Sequence, residues 1–390
     1  MKATIDSSPL PFPGLNPQGI DAATAKPTDD YITWGGGSDS FFEYELKYAQ
    51  LLGSQDTYMP AWITSVNSSI AHLLTTASGT ARSDLTYLAD YSDSNGGLIP
   101  RASHLECFHG GNWMLGGKLL GNNDIFQMGL ALTEACYNTY ASSATGIGPE
   151  SFVFRSASGS TNRVKITDEA FYAAHGFDYD AKSYVLRPEV LESVFYAYRL
   201  TGDRKWQDRA WAAYQSLVKY CKAPASLAAI DDVTNINTKQ LDDSESFLYA
   251  ELFKYLYLTF ASPDTLSLDK YVFNTEAHPF ELDHPGFDFA SLNPGASLAK
   301  PQNTKAFGGS LSTSSTEKEP TPATAFPLPV YSSNPKAASL RHSIIQKVLG
   351  IGGALKRSSA VDTDKQCQCL QWSRFSSFPG TNSLSPRSCL

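Results

Sequence analysis

Three short stretches join an acid to a serine and an aromatic cluster: Asp39-Ser40-Phe41-Phe42-Glu43-Tyr44, Glu192-Ser193-Val194-Phe195-Tyr196 and Glu245-Ser246-Phe247-Leu248-Tyr249. Two more, Pro149-Glu150 and Pro188-Glu189, place an acid directly after a proline. Proline suits the first position of a helix, and an acid in the first turn complements the helix dipole. Taken singly, each acid therefore reads as a helix-start residue. Their recurrence says more. If the helix starts open on one mouth, Asp39, Glu150, Glu189 and Glu192 gather in one acidic bowl. Clustered carboxylates suit hydrolysis of a glycosidic bond, which needs two carboxyl groups flanking the bond. They also suit a hard cation such as Ca²⁺, which takes several oxygen ligands. Aromatic rings among the acids suit a sugar, because a flat ring covers the apolar face of a pyranose while acids accept its hydroxyl hydrogens. No G-x-G-x-x-G, Walker A, H-E-x-x-H or paired C-x-x-C pattern is present, so dinucleotide, phosphate and structural zinc chemistry have no support.

The elements that would position these acids are helical. Apolar spacing predicts helices over 38–52, 56–74, 112–120, 124–140, 187–200, 204–220 and 243–260. Short breaks such as Gly121-Asn122-Asn123 and Thr201-Gly202-Asp203 join them in pairs. Strand-like pieces lie at 86–91 and 98–101, around Asp93-Ser94-Asn95-Gly96-Gly97. Helix, short turn, helix is the pattern of stacked αα-hairpins, so the expected class is all-α with small β-hairpins.

The 390 residues carry a net charge of −8, which divides into −14 over residues 1–284 and +6 over 285–390. Residues 1–284 also hold 39 of the 47 aromatics. The expected organisation is a helical domain over 1–284 and a low-complexity, disordered tail over 285–390. The acidic balance does not invite nucleic acid. The chain has no 18-residue apolar run and no apolar signal region at its start.

Several segments then resemble glycoside hydrolase family 47, the class I α-1,2-mannosidases: Gly35–Leu51, His104–Phe108, Gly146–Glu150, Tyr184–Trp211, Glu245–Phe260 and Leu266–Phe280. Gly37-Ser38 before Asp39 is closer to the fungal and Golgi branch than to the ER branch. The resemblance implies a toroid of αα-hairpins, an (α/α)7 barrel, present here in part. It implies calcium-dependent removal of α-1,2-linked mannose from high-mannose N-glycans with inversion. By position, Glu189 matches the general base and Asp39 a catalytic aspartate near the scissile bond. Thr275 matches the direct Ca²⁺ ligand, with Glu189, Glu251 and Glu276 holding the metal's waters. Glu192, Glu150, Arg187, His104 and Phe247 match substrate-contacting positions, Phe247 as the ring that stacks on the sugar. Cys107 and Cys136 match the family's disulfide, and Cys221 is expected to be a free buried thiol.

The resemblance further implies residence in the secretory pathway, in Golgi or ER membranes or secreted. Membrane attachment would come only through an anchor outside this chain. By the same comparison the chain begins inside the family domain, so the general-acid glutamate has no counterpart here and some apolar helix faces are expected to stay exposed. A non-catalytic mannose-glycan-binding protein and a non-functional fragment are the alternatives.

Overall fold

The computed structural model describes residues 1–6, 10–158 and 164–295. Most of the segment read as a low-complexity tail, from 296 onward, lies outside the described residues. A short helix α1 (Lys2–Ile5) is followed by the hairpin α2 (Asp39–Leu52) and α3 (Tyr58–His72). A second hairpin joins α4 (His109–Leu120) to α5 (Asn123–Ser142). After the small α6 (Glu169–His175) comes a third, α7 (Glu189–Thr201) with α8 (Lys205–Tyr220). A π-helical turn, Leu248–Leu252, runs directly into α9 (Phe253–Phe260).

Helices α2, α4, α7 and α9 pack side by side in chain order, while α3, α5 and α8 each back the first helix of their own hairpin. The turns are glycine-built: Gly53, Gly121 and Gly202 take left-handed backbone at the ends of α2, α4 and α7, where a Cβ would be strained. Asn122 caps α5 by accepting from Ile125 N at 3.1 Å.

Helix α4 is buried on nearly every side, because it touches both its hairpin partner α5 and its neighbours α2 and α7. Its sequence, HGGNWMLGGKLL, explains how so many elements approach. A Cβ on Gly110 would sit 3.1 Å from the Gly129 carbonyl of α5, and one on Gly116 would sit 2.1 Å from the Trp62 ring of α3. Trp62 then spans the gap and donates from Nε1 to Asn112 Oδ1 at 2.8 Å. Trp34, Trp113 and Trp206 are equally buried.

The sheets are small and antiparallel. Strand β1 (Leu74–Thr76) pairs with β2 (Thr86–Leu88), and β3 (Asp90–Ser92) with β4 (Gly97–Ile99). Strands β5 (Arg101–Ser103), β6 (Ser151–Val153) and β7 (Asp178–Ala181) form a three-stranded sheet. The hairpin β8 (Tyr271–Phe273) and β9 (Pro279–Glu281) packs against α2, with Phe273 edge-on to Phe195 of α7.

The helices expected from spacing form with shifts of a few residues, apart from the last. Residues 243–246 are not helical, because the Asp243 carbonyl accepts from Ala229 N at 2.9 Å and is held in a strand-like loop. Glu245 therefore precedes its helix. Glu150 starts no helix either: its N–H donates to Ser183 and its carbonyl accepts from His104 N, both at 2.9 Å, which makes it the lead-in to β6. Glu192 is the fourth residue of α7. Of the acids expected at helix starts, Asp39 and Glu189 are the two that open helices.

Past residue 284 the chain still packs: Phe289 is buried, and Asn293 accepts from Asn122 Nδ2 at 2.8 Å. Cys107 and Cys136 form a disulfide between the short 3₁₀ turn Leu105–Phe108 and α5. Cys221 is free and buried. Among the described residues no helix is long and apolar enough to cross a membrane.

Candidate active site

The segment Tyr184–Glu189 leads into α7 and carries most of the polar geometry. Leu186, wholly buried, sits at φ 69°, a conformation costly for a branched side chain. Glu150 clamps both flanks of this residue. One carboxylate oxygen accepts from Val185 N at 3.0 Å and the other from Arg187 Nε at 2.5 Å. Arg187 in turn lies over the Phe247 ring, 5.7 Å from its centroid. A charged plane and an aromatic face thus stand together beside Glu189.

Glu189 is the first residue of α7. Its Oε2 lies 2.7 Å from His104 Nδ1, and His104 Nε2 lies 2.8 Å from the Tyr140 hydroxyl. His104 arrives from the end of β5 and is 1% exposed, so its ring is fixed by these two partners. Asp39 opens α2 across from this segment. Burial pushes its carboxyl pKa up; Glu43 and Glu189 add repulsion and Arg187 opposes it.

One turn further along α2 and α7 is a buried charge cluster. Lys47 Nζ meets Glu43 at 2.5 Å and Glu192 at 3.5 Å, and the Tyr255 hydroxyl donates to Glu192 at 3.1 Å. Burial works against the Lys47 charge, but Glu43, Tyr196 and Glu192 together hold its pKa well above the usual lysine value. Two carboxylates share that one cation. Burial pushes Glu192 up to about 8, and Lys47 opposes that shift. Glu251, in the π-helical turn, is also raised to about 8, by burial first and then by Glu192, Glu189, Glu43 and Glu276. A π-turn is an irregularity that helices carry mostly where a side chain must be re-aimed.

Thr275 and Glu276 lie in the β8–β9 turn. The turn is organised by Asn274, whose Oδ1 accepts from Glu276 N and His278 N at 3.0 and 2.8 Å. Ala277 completes it at φ 57°, with its carbonyl held by Lys254 Nζ of α9 at 2.7 Å. The Thr275 N–H donates to the Tyr44 hydroxyl of α2 at 3.3 Å.

The structure thus brings Asp39, Glu150, Arg187, Glu189, His104 and Phe247 into one connected group. Glu192 and Glu251 lie in the acid cluster beside it, and Glu276 is coupled electrostatically to Glu251. Sequence reasoning passed over Glu43 and Lys47. They stand four and eight residues after Asp39, so a lysine on a helix face shared with two acids was the available signal. Tyr140, Tyr184 and Tyr255 carried none, being three tyrosines among 20. A site of buried carboxylates with one arginine and an aromatic ring can bind a polyhydroxy ligand and move a proton at Glu189.

Comparison with known proteins gives this arrangement its context. The family model described as glycosyl hydrolase family 47 matches residues 1–282. A mannosyl-oligosaccharide alpha-1,2-mannosidase of Coccidioides posadasii is 42% identical over 284 residues, covering 71% of this chain and 53% of that protein. The mannosyl-oligosaccharide alpha-1,2-mannosidase 1B of Emericella nidulans is 38% identical over 282 residues, with 70% and 54% covered. Among solved structures, an alpha-1,2-mannosidase from Trichoderma reesei superposes with a TM-score of 0.66 at 37% identity, covering 72% of this chain and 59% of that one. The chain spans about half the length of the curated relatives it matches.

Proposed function

Because this chain belongs to glycosyl hydrolase family 47, we propose that its acidic site serves an inverting, Ca²⁺-dependent α-1,2-mannosidase that trims high-mannose N-glycans. The observation that carries this reading is Glu189 at the head of α7, held by His104 at 2.7 Å beside the Arg187–Glu150 clamp. In the proposed mechanism Glu189 is the general base that takes a proton from the attacking water. Asp39 faces the same space and acts near the scissile bond. Arg187, Glu150, Glu192 and His104 orient sugar hydroxyls, and Phe247 offers its ring to the apolar face of the pyranose.

A calcium ion fits the donors present. Burial first, and then repulsion from neighbouring carboxylates, penalises the charge on Glu192 and Glu251 and raises both to about 8. A divalent cation would relieve that repulsion, and all the candidate donors are hard oxygens. Among the described residues no three acids, imidazoles or thiols converge as a direct chelate. By the family resemblance we assign Thr275 as the direct protein ligand, with Glu189, Glu251 and Glu276 reaching the ion through water. Calcium, when bound, supplies fixed positive charge that orders water and sugar hydroxyl oxygens. The Cys107–Cys136 disulfide supports work in an oxidising compartment, the secretory pathway.

The roles assigned here do not include protonation of the leaving oxygen, so turnover and binding are tested apart. Mannose release from an α-1,2-linked mannobiose is the test of turnover. Release that Glu189→Gln abolishes supports the base assignment; release that survives the substitution rejects it. Calcium-dependent binding of a mannose-mimicking inhibitor with no release would mark a mannose-glycan binder in place of a hydrolase.

A further inference from the structure

Two buried acids have no part in the roles assigned above: Asp90 in β3 and Glu106 in the 3₁₀ turn Leu105–Phe108. They are 5% and 1% exposed. Each keeps one oxygen, Asp90 Oδ1 and Glu106 Oε1, without a hydrogen-bond partner among the described residues. The groups around them are mostly hydroxyls. The Tyr31 hydroxyl donates to Asp90 Oδ2 at 2.5 Å, and Ser103 Oγ accepts from Glu106 N at 3.3 Å. Among the described residues the cation acting on Asp90 is Arg101. Its side chain is about half exposed and donates from Nε to Asp180 at 3.0 Å. Two ionised carboxylates placed in this way would be buried without adequate compensation. Burial accordingly pushes Asp90 up to about 6, against Thr33, Tyr31 and Arg101. Burial first, and then Asp90, holds Glu106 well above the ordinary carboxyl range. Burial and Asp90 also push the Tyr31 hydroxyl up, so it stays a donor.

The pair stands between two segments that deliver site residues. Beside Asp90, Tyr91 exchanges backbone hydrogen bonds with Ile32 at 2.8 and 2.9 Å. Thr33 Oγ1 then accepts from Gly35 N at 2.8 Å, and the Gly35 carbonyl accepts from Asp39 N at 2.9 Å, where α2 begins. A Cβ on Gly35 would lie 3.1 Å from Ser103 Oγ, so this lead-in packs closely against the residue before His104. We propose that Asp90 and Glu106 form a proton-held latch between the lead-in to α2 and the turn that follows His104. With one proton retained by the pair, the two segments stay packed. Loss of that proton to water leaves two buried negative charges, whose repulsion loosens both segments. The acids therefore titrate as a pair and not as two separate groups. The latch is closed at acidic and neutral pH and opens at alkaline pH, with no substrate required.

Urea midpoints of the full chain test this, measured in chelator from about pH 5 to about pH 9. The parent is compared with Asp90→Asn, Glu106→Gln and the double variant. Other buried acids titrate equally in all four, so the differences between profiles isolate the pair. A carboxyl pKa raised by folding favours the native state below its unfolded value, and that benefit is lost as pH rises through the folded value. The parent midpoint should therefore fall relative to each single variant as pH rises. The double variant should follow the singles, because either substitution alone removes the second charge. Parallel profiles in the parent and both singles would overturn the latch. So would a double variant whose profile is flattened by the sum of the two singles, the mark of independent acids. Hydrogen exchange on the unsubstituted chain gives a reading that needs no variant to fold. The Ile32 and Tyr91 amides should lose protection over the alkaline part of the range, corrected for base-catalysed exchange, while amides inside α8 keep theirs. Constant protection at Ile32 and Tyr91, or an equal loss in α8, would contradict a local latch.

Discussion

At the residue scale, the acids that matter were visible as types, and the reasons they gather were not. The acid-serine-aromatic recurrence pointed to Asp39 and Glu192, yet Glu192 is the fourth residue of α7, not its first, and Glu245 stands outside its helix. What unites the acids is the Lys47 and Arg187 counter-charges, which lie far apart in sequence from most of the carboxylates they meet. Lys47→Met should show this. It leaves Glu43 and Glu192 buried without a cation, at a cost of about 3–5 kcal/mol. The double variant with Glu43→Gln should recover part of the loss, read by urea denaturation; equal losses would mean that the cluster is not coupled. Glu45 makes a separate prediction. Burial raises it to about 8, against a hydrogen bond from Ser65 that lowers it. A carboxyl pKa raised by folding favours the native state below its unfolded value, and the benefit is lost as pH rises toward the folded value. Stability should fall by up to about 1.4 kcal/mol per pH unit between roughly pH 5 and 8 from this group. Glu45→Gln should flatten that slope, and a parallel slope in the variant would refute the assignment.

At the scale of elements, apolar spacing located the hairpins because each helix buries one face against its partner. It missed the start of the last helix and the edge role of Glu150, since both are set by backbone pairing with distant segments. The glycines of α4 are a similar case: they read as weak helix positions until Trp62 and Gly129 are placed against them. Gly116→Val should therefore destabilise by about 1–3 kcal/mol through overpacking, despite its better fit to a buried position. Leu186 tests which of two effects wins. Its left-handed backbone costs roughly 1–2 kcal/mol, while its buried side chain is worth more, about 2–5 kcal/mol on truncation. Leu186→Gly should thus be destabilising on balance. A gain in midpoint would mean that strain dominates the turn before Glu189. The disulfide closes a separation of 29 residues, for which loop entropy predicts a loss of roughly 3–4 kcal/mol in the Cys107→Ser, Cys136→Ser pair.

At the scale of the molecule, three αα-hairpins and a following single helix set α2, α4, α7 and α9 side by side, with the β8–β9 hairpin against α2. The outer faces of α8 and α9 carry exposed aromatics: Tyr257 is 66% exposed, and Trp211 lies edge-on to Phe260. The same packing puts Thr275, far along the chain, beside Tyr44 of the first hairpin. That contact holds the β8–β9 turn against α2. We propose that this site holds calcium and a mannoside together. Calorimetric titration of the whole chain with a mannose-mimicking inhibitor, in calcium and again in excess chelator, tests it most directly. Saturable binding in calcium that chelator removes, and that Thr275→Ala weakens, is the predicted result. Binding indifferent to calcium, or no binding in either condition, would contradict it.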